Sequence, residues 1–305
     1  MPAIAPQPST PTNTLSLPGN MVQQLHTQSE LKALVSLLDD PDRTVQTMVQ
    51  GRLKELGRRA LPFLQEAKHA ADTEMQLRLA QVMQDLHFSE IEQHWKSIMR
   101  MPNAELEHGA FLLALHRFPN LSIRAYQAKL DSMAERIRPK VEAATGVGKA
   151  FVLSTYVCND LGFRGNNEFY SDPNNSYINC VIDSRRGIPV TLCAVFILLG
   201  QRLGLPIFGV NMPAHFLAKY KDSRHEVFFD IFNGGNPIMK EQCIQFLLKA
   251  GIKPQAKYFQ SANGQTILLR MICNLLAVSQ NEKQSRFIQE LGILMEPWRT
   301  NTNIT

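Results

Sequence analysis

The sequence predicts an α+β fold, mostly helical, and three observations predict it. Apolar residues recur at helical spacing from Leu31 to Leu161 and again from Lys240 to Met295. Between those stretches lie three strand-like runs, Ile207 to Val210, Phe216 to Tyr220 and Glu226 to Phe229, separated by turn signals at Pro213-Ala214 and Lys221-Asp222-Ser223. Helices, then a helix followed by antiparallel hairpins, then helices again is the order of an α+β chain with a small sheet. Third, 44% of the 305 residues are apolar and 19% are charged, which is enough to bury a sizeable core and excludes a disordered chain.

The elements follow in order. Met1 to Met21 is rich in Pro, Ser, Thr and Asn and lacks a basic segment followed by an apolar one, so it is not a secretory signal. Residues 1–28 read as a flexible tail on a cytoplasmic protein. From Ser29, Leu31, Leu34, Val35, Leu37 and Leu38 fall at helical spacing, and Asp40-Pro41-Asp42 stops that helix and starts the next. Val45, Val49, Leu53 and Leu56 form the next stripe, closed by Gly57. Ala60-Leu61-Pro62-Phe63-Leu64 opens a third helix, and Met75, Leu79, Val82, Met83 and Leu86 mark a fourth. This front region, assigned to residues 29–100, resembles a HEAT-type repeat in the wording "LLDDPDRTVQ…LKELGRRALPFL"; a generic helical bundle fits nearly as well.

Further helices are expected over Glu105–His116, Ser122–Ala144 and Phe151–Leu161. Gly162 to Ser176 is polar and turn-forming, Tyr177 to Asp183 is a short run, and Val190 to Leu203 is a strongly apolar helix stopped by Gly204-Leu205-Pro206. Lys240–Ala250, Gln265–Ser279 and Lys283–Met295 finish the chain. The last pair resembles a degenerate tetratricopeptide-type hairpin, assigned to residues 261–300, whose Leu, Ile and Met stripe reads as core.

Composition narrows the function. Lys and Arg total 32 against 27 acids, a net +5, with no dense basic run, so a polybasic nucleic-acid arm is not supported. No apolar stretch reaches membrane-span length. The five cysteines are odd in number and lack a Cys-x-x-Cys pair, which points to buried thiols in a reducing compartment rather than to disulfides or zinc. No histidine has metal-ligand spacing, and neither a metal nor a cofactor is expected.

The informative segment is Leu161 to Gly235. Its wording, "GFRGNNEFYSDPNNSYINCVIDSRRGIPVTLCAVFILLGQRLGLPIFGVNMPAHFLAKY…FFDIFNGG", resembles the SirB-type transglutaminase-like family. Five motifs carry the resemblance: Gly-Asn, Tyr-x-Asp-Pro-x-Asn-Ser-Tyr, Arg-Arg-Gly-Ile-Pro, His-Phe and Asp-x-Phe-Asn-Gly-Gly. It covers roughly Glu105 to Trp298, with the domain assigned to residues 101–260. The resemblance implies a papain-like α+β core in which a helix N-terminus carries a nucleophilic cysteine, a strand His takes its proton and a strand Asp orients the His. It sets His215 and Asp230 at the last two positions and Pro189 at the cysteine position, which implies a fold that has lost its thiol.

Two residues compete to replace it. Thr191 lies two residues on and reads most simply as a first-turn helix residue. Cys193 lies one turn deeper on roughly the same face, an axial displacement of about 5–6 Å, where a catalytic hydrogen bond needs roughly 3 Å. The simpler reading of Cys193 is one more core residue. His215 itself reads equally as a satisfied buried histidine or as functional. Asp172, Pro173 and Ser176 read as turn chemistry. Asn166, Tyr170 and Asn175 belong to the loop the resemblance singles out, a candidate cleft wall. Arg185 and Arg186, just ahead of the apolar helix, are a candidate anion site or a solvated turn.

Three functions stay open. The first, preferred, is a non-catalytic module that binds a protein or peptide partner, with no nucleic-acid or membrane role. The second is a hydrolase or acyl-transferase using Cys193 or Thr191 with His215 and Asp230. The third is an anion or small-molecule regulator using Arg185, Arg186 and the Asn-rich loop.

Overall fold

The computed structural model describes residues 19–101, 105–279 and 285–301. The chain divides into two compact units, Met1–Ser89 and Glu90–Thr305.

The first unit is helical. Helix α1 spans Gly19–Ser36, α2 Arg43–Leu56, α3 Leu61–Ala70, and α4 starts at Thr73 and runs to Met99 beyond the unit's boundary. Helical structure therefore begins ahead of Ser29, inside the expected tail, and the rest of that tail lies outside the described residues. The Asp40-Pro41-Asp42 punctuation works as its chemistry predicts. Asp42 Oδ1 accepts from the Thr44 N–H at 2.7 Å and caps α2, while Gly57 at φ 56° closes it. Leu31, Leu38, Leu53, Leu64 and Leu79 pack together as its core.

The second unit is built around one helix. Before it come α5 (Leu106–Arg117), α6 (Ile123–Ala143) and α7 (Gly148–Thr155), which continues as a π-helical turn over Tyr156–Asp160. Two residues at Arg164–Gly165 form strand β1, then α8 runs over Ile178–Ser184, and β2 (Arg186–Gly187) pairs parallel with β1. Helix α9 (Pro189–Arg202) follows, and every residue from Pro189 to Gly200 is buried. A helix apolar all round must be surrounded, and α9 is packed against α5, α6, α7 and α8 and against the sheet.

That sheet is antiparallel in sequence order: β3 (Ile207–Val210), β4 (Leu217–Lys221), β5 (Glu226–Asp230) and β6 (Asn236–Ile238). The fourth strand was not expected. It is three residues long and contains Pro237, which suits an edge position but hides the strand in sequence. One sheet face meets α9, where the Phe196 and Phe229 rings lie 5.9 Å apart. The other face, with Leu217 and Phe228, meets Cys243 and Leu247 of α10 (Lys240–Lys249). Lys219 on that face is 1% exposed and is satisfied by Glu226 at 2.9 Å and the Phe259 carbonyl at 2.7 Å. Helix α11 (Gly264–Ser279) buries Leu268, Met271, Ile272 and Leu275, so its stripe is core, and α12 (Ser285–Leu294) and α13 (Glu296–Asn301) close the described chain.

Candidate functional site

His215 lies just ahead of β4 rather than on a strand, in a turn forced by Ala214 at φ 61° and closed by its own N–H on the Met212 carbonyl at 3.2 Å. Asp230 ends β5. Extending the β4–β5 register past Ala218↔Phe229 sets Leu217 opposite Asp230 and His215 diagonal to it on one face. The His215 Nε2 meets Asp230 Oδ2 at 2.9 Å. A carboxylate accepts only, so Nε2–H donates to it, and in the neutral ring Nδ1 is then the acceptor.

Asp230 also accepts from Asn233, at 2.7 Å from its side-chain amide and 3.1 Å from its backbone N–H. Burial alone would raise the Asp230 carboxyl; the hydrogen bond and charge of His215, with the two Asn233 donors, outweigh it and hold the group below the ordinary aspartate value. Asn233 is the Asn of the Asp-x-Phe-Asn-Gly-Gly motif, and its Asp-x-x-Asn spacing from Asp230 is the sequence signal for this contact.

The turn that carries Asn233 is itself pinned. Ser154 Oγ donates to the Gly235 carbonyl at 2.5 Å, and Gly235 sits at φ 72° where a Cβ would meet Cys158 Sγ and Ser154 Oγ, each at 2.5 Å. At Gly165 a Cβ would lie 2.6 Å from the Phe232 ring, and its N–H bonds the Phe232 carbonyl at 2.9 Å. Only glycine lets β1 approach this closely.

Pro189, Tyr170, His215, Asp230 and Asn233 line one cavity of about 440 Å³. Its remaining wall is mostly apolar, with Met212, Phe232, Ile238 and Phe246, and includes Gln242 and Cys243 of α10. Phe246 lies 5.7 Å from the His215 ring between centroids, and Tyr170 packs edge-on to Phe232 at 5.9 Å.

The other residues singled out in the sequence fall elsewhere. Asn166 and Asn175 stand behind the wall: Asn166 Nδ2 donates to Asn175 Oδ1 at 3.0 Å, and Asn175 Nδ2 donates to the Phe169 and Tyr170 carbonyls at 2.6 and 3.2 Å. The Asn175 carbonyl takes the Ile188 N–H at 3.4 Å, so this network ties the Tyr170 loop to the start of α9. Arg185, in the left-handed conformation at φ 62°, lays its guanidinium 4.5 Å over the Phe163 ring, and neither it nor Arg186 lines the cavity. Thr191 and Cys193 are fully buried and outside the cavity lining. Cys193 Sγ points to the Phe216 carbonyl at 3.7 Å, and burial, reinforced by Asp230, pushes its thiol well above the ordinary cysteine value. Cys243, on the helix expected over Lys240–Ala250, lines the cavity; burial and the Asp230 charge push its thiol up to about 11. No cluster of His, Cys, Asp and Glu among the described residues could hold a metal.

Residues 124–273 match the Transglutaminase-like superfamily. The chain is 31% identical over 201 residues to a UPF0162 protein of Xylella fastidiosa strain 9a5c, covering 61% of this chain and 70% of that protein. It is 32% identical over 130 residues to a UPF0162 protein of Vibrio cholerae, covering 41% and 47%. It is also 25% identical over 192 residues to human F-box only protein 21, covering 53% of this chain and 30% of that one. No solved structure matches.

Proposed function

Because the chain belongs to the UPF0162 family and carries a transglutaminase-like superfamily domain, we propose that it is a non-catalytic transglutaminase-like protein whose His215 cavity binds a peptide segment of a protein partner. The observation that carries this reading is Pro189. At the first turn of α9 it lines the same cavity as the hydrogen-bonded His215–Asp230 pair, at the position the SirB-type resemblance gives to the nucleophile. Proline offers no group to attack with. The mostly apolar wall with a few polar groups suits a side chain of a peptide, with Nδ1 of the neutral His215 ring as acceptor for one N–H or O–H donor. The front helices fit this reading as a HEAT-type unit and the α11–α12 pair as a tetratricopeptide-like hairpin, both kinds of repeat that serve protein contacts. The free cysteines suit a cytoplasmic setting, and no described helix is long and apolar enough to cross a membrane.

The test is a display-selected peptide titrated into the labelled protein, paired with amide and ester turnover assays. Saturable shifts at residues 212–217 and 230–233, lost in His215→Ala, with no turnover, are expected. Turnover that His215→Ala abolishes would overturn the reading. One observation favours a second reading, a cysteine hydrolase or acyl-transferase: the cavity does contain a thiol, that of Cys243 on α10.

A further inference from the structure

The loop Asn211–Ala214 separates two cavities. Met212 and Ala214 line the one that holds His215, while Asn211 and Pro213 line another of about 480 Å³. Lys257 and Arg270 line this second cavity together with Gln260, Ser261 and Thr266, and among the described residues no Asp or Glu lines it. Arg270 is oriented by a neutral partner: its Nη1 donates to Asn211 Oδ1 at 2.9 Å. Lys257 Nζ lies 5.6 Å from the Tyr258 ring centroid, and neither cation has an ion pair with a described residue. The surrounding sequence is one-signed, for between Glu241 and Glu282 the chain has Lys249, Lys253, Lys257 and Arg270 and not one acid.

Two cations at one cavity repel each other. One amide oxygen uses one of the five guanidinium donors and leaves the rest of the planar fork for an oxyanion, while the lysine supplies a point charge. We propose that this cavity is an oxyanion site that takes a doubly charged group, either a phosphomonoester or two neighbouring carboxylates, through Arg270 and Lys257. Asn211 positions the guanidinium. The site does not rest on the peptide-binding reading of the His215 cavity.

The experiment titrates inorganic phosphate, and separately succinate, into the isotopically labelled full chain at constant ionic strength. The readouts are the Arg270 Nε–H and the amides of Asn211 and Gln260. A saturable shift is expected. It should weaken about tenfold in Lys257→Gln and again in Arg270→Gln, each losing one charge-assisted contact. Arg270→Lys, which keeps the charge and the fold but loses the fork, should weaken binding less. His215→Ala should leave the phosphate shift unchanged, which separates this site from the peptide reading. Tighter binding of phosphate or of succinate supports the site and names the source of the charge. A linear, non-saturating shift, an equal shift from chloride, or phosphate binding unchanged in both glutamine variants would overturn it.

Discussion

Asp230 illustrates what a buried carboxylate requires. It is 9% exposed, and its oxygens take three donors from His215 and Asn233. Its pKa is held below the aspartate value in the folded state, so the stabilisation is present above the unfolded value and is lost as pH falls through the folded one. Asn233→Ala removes the side-chain donor at 2.7 Å and is expected to cost about 1–3 kcal/mol at neutral pH. Urea melts from pH 7 down to pH 3 should show the gap to the parent closing as Asp230 protonates; a constant gap would mean that Asn233 acts through the turn alone. Thr191 shows the opposite case. Its hydroxyl is fully buried with no hydrogen-bond partner among the described residues. Thr191→Val keeps the shape and removes the unmet polar group, so it should leave the protein as stable or raise its stability by about 1 kcal/mol. A loss of more than that in chemical denaturation would show that the hydroxyl is satisfied.

At the scale of elements, the site is a meeting of short irregular pieces held by close backbone approach. Gly235→Ala puts a Cβ 2.5 Å from two side-chain atoms at a positive φ. Left-handed backbone alone costs a non-glycine residue about 1–2 kcal/mol, so a fall in stability beyond that is expected, with loss of the His215–Asp230 geometry read from imidazole nitrogen shifts. These pieces are also the ones that sequence reads worst. Helix α9 is plain because its unbroken apolar run ends at Gly204-Leu205-Pro206, and β3 is plain because a short apolar run between two turn signals has few alternatives. The π-helical turn at Tyr156–Asp160 leaves no trace, since widening one turn changes hydrogen-bond partners and not the apolar spacing. The His–Asp pairing is legible from residue order, whereas Asn233, Phe246 and Cys243 enter the site through the turn after β5 and the placement of α10, which periodicity does not fix.

Across the whole molecule, the five free thiols grade access from surface to core and so test the architecture and the site together. Cys273 is exposed, Cys180 is half-buried, and Cys158, Cys193 and Cys243 are buried. Burial raises the thiols of Cys158 to about 12 and of Cys180 and Cys243 to about 11, so little thiolate exists at neutral pH and access decides the order of reaction. A small iodoacetamide probe should therefore label Cys273 first and Cys180 next. Cys243 differs from the other buried pair in one respect: it borders the His215 cavity, through which the probe can reach it, while Cys193 is sealed inside α9 at 0% exposure. Cys243 should label in the native protein ahead of Cys158 and Cys193, which should wait for unfolding. Mapping by mass spectrometry over pH 6 to 9 separates the two readings of the site. A Cys243 rate that climbs with pH without a plateau, and is unchanged in His215→Ala, marks a bystander thiol in a binding cavity. A plateau near neutral pH that His215→Ala removes would mean that the histidine holds Cys243 as a thiolate, and the hydrolase reading would then displace the peptide-binding one.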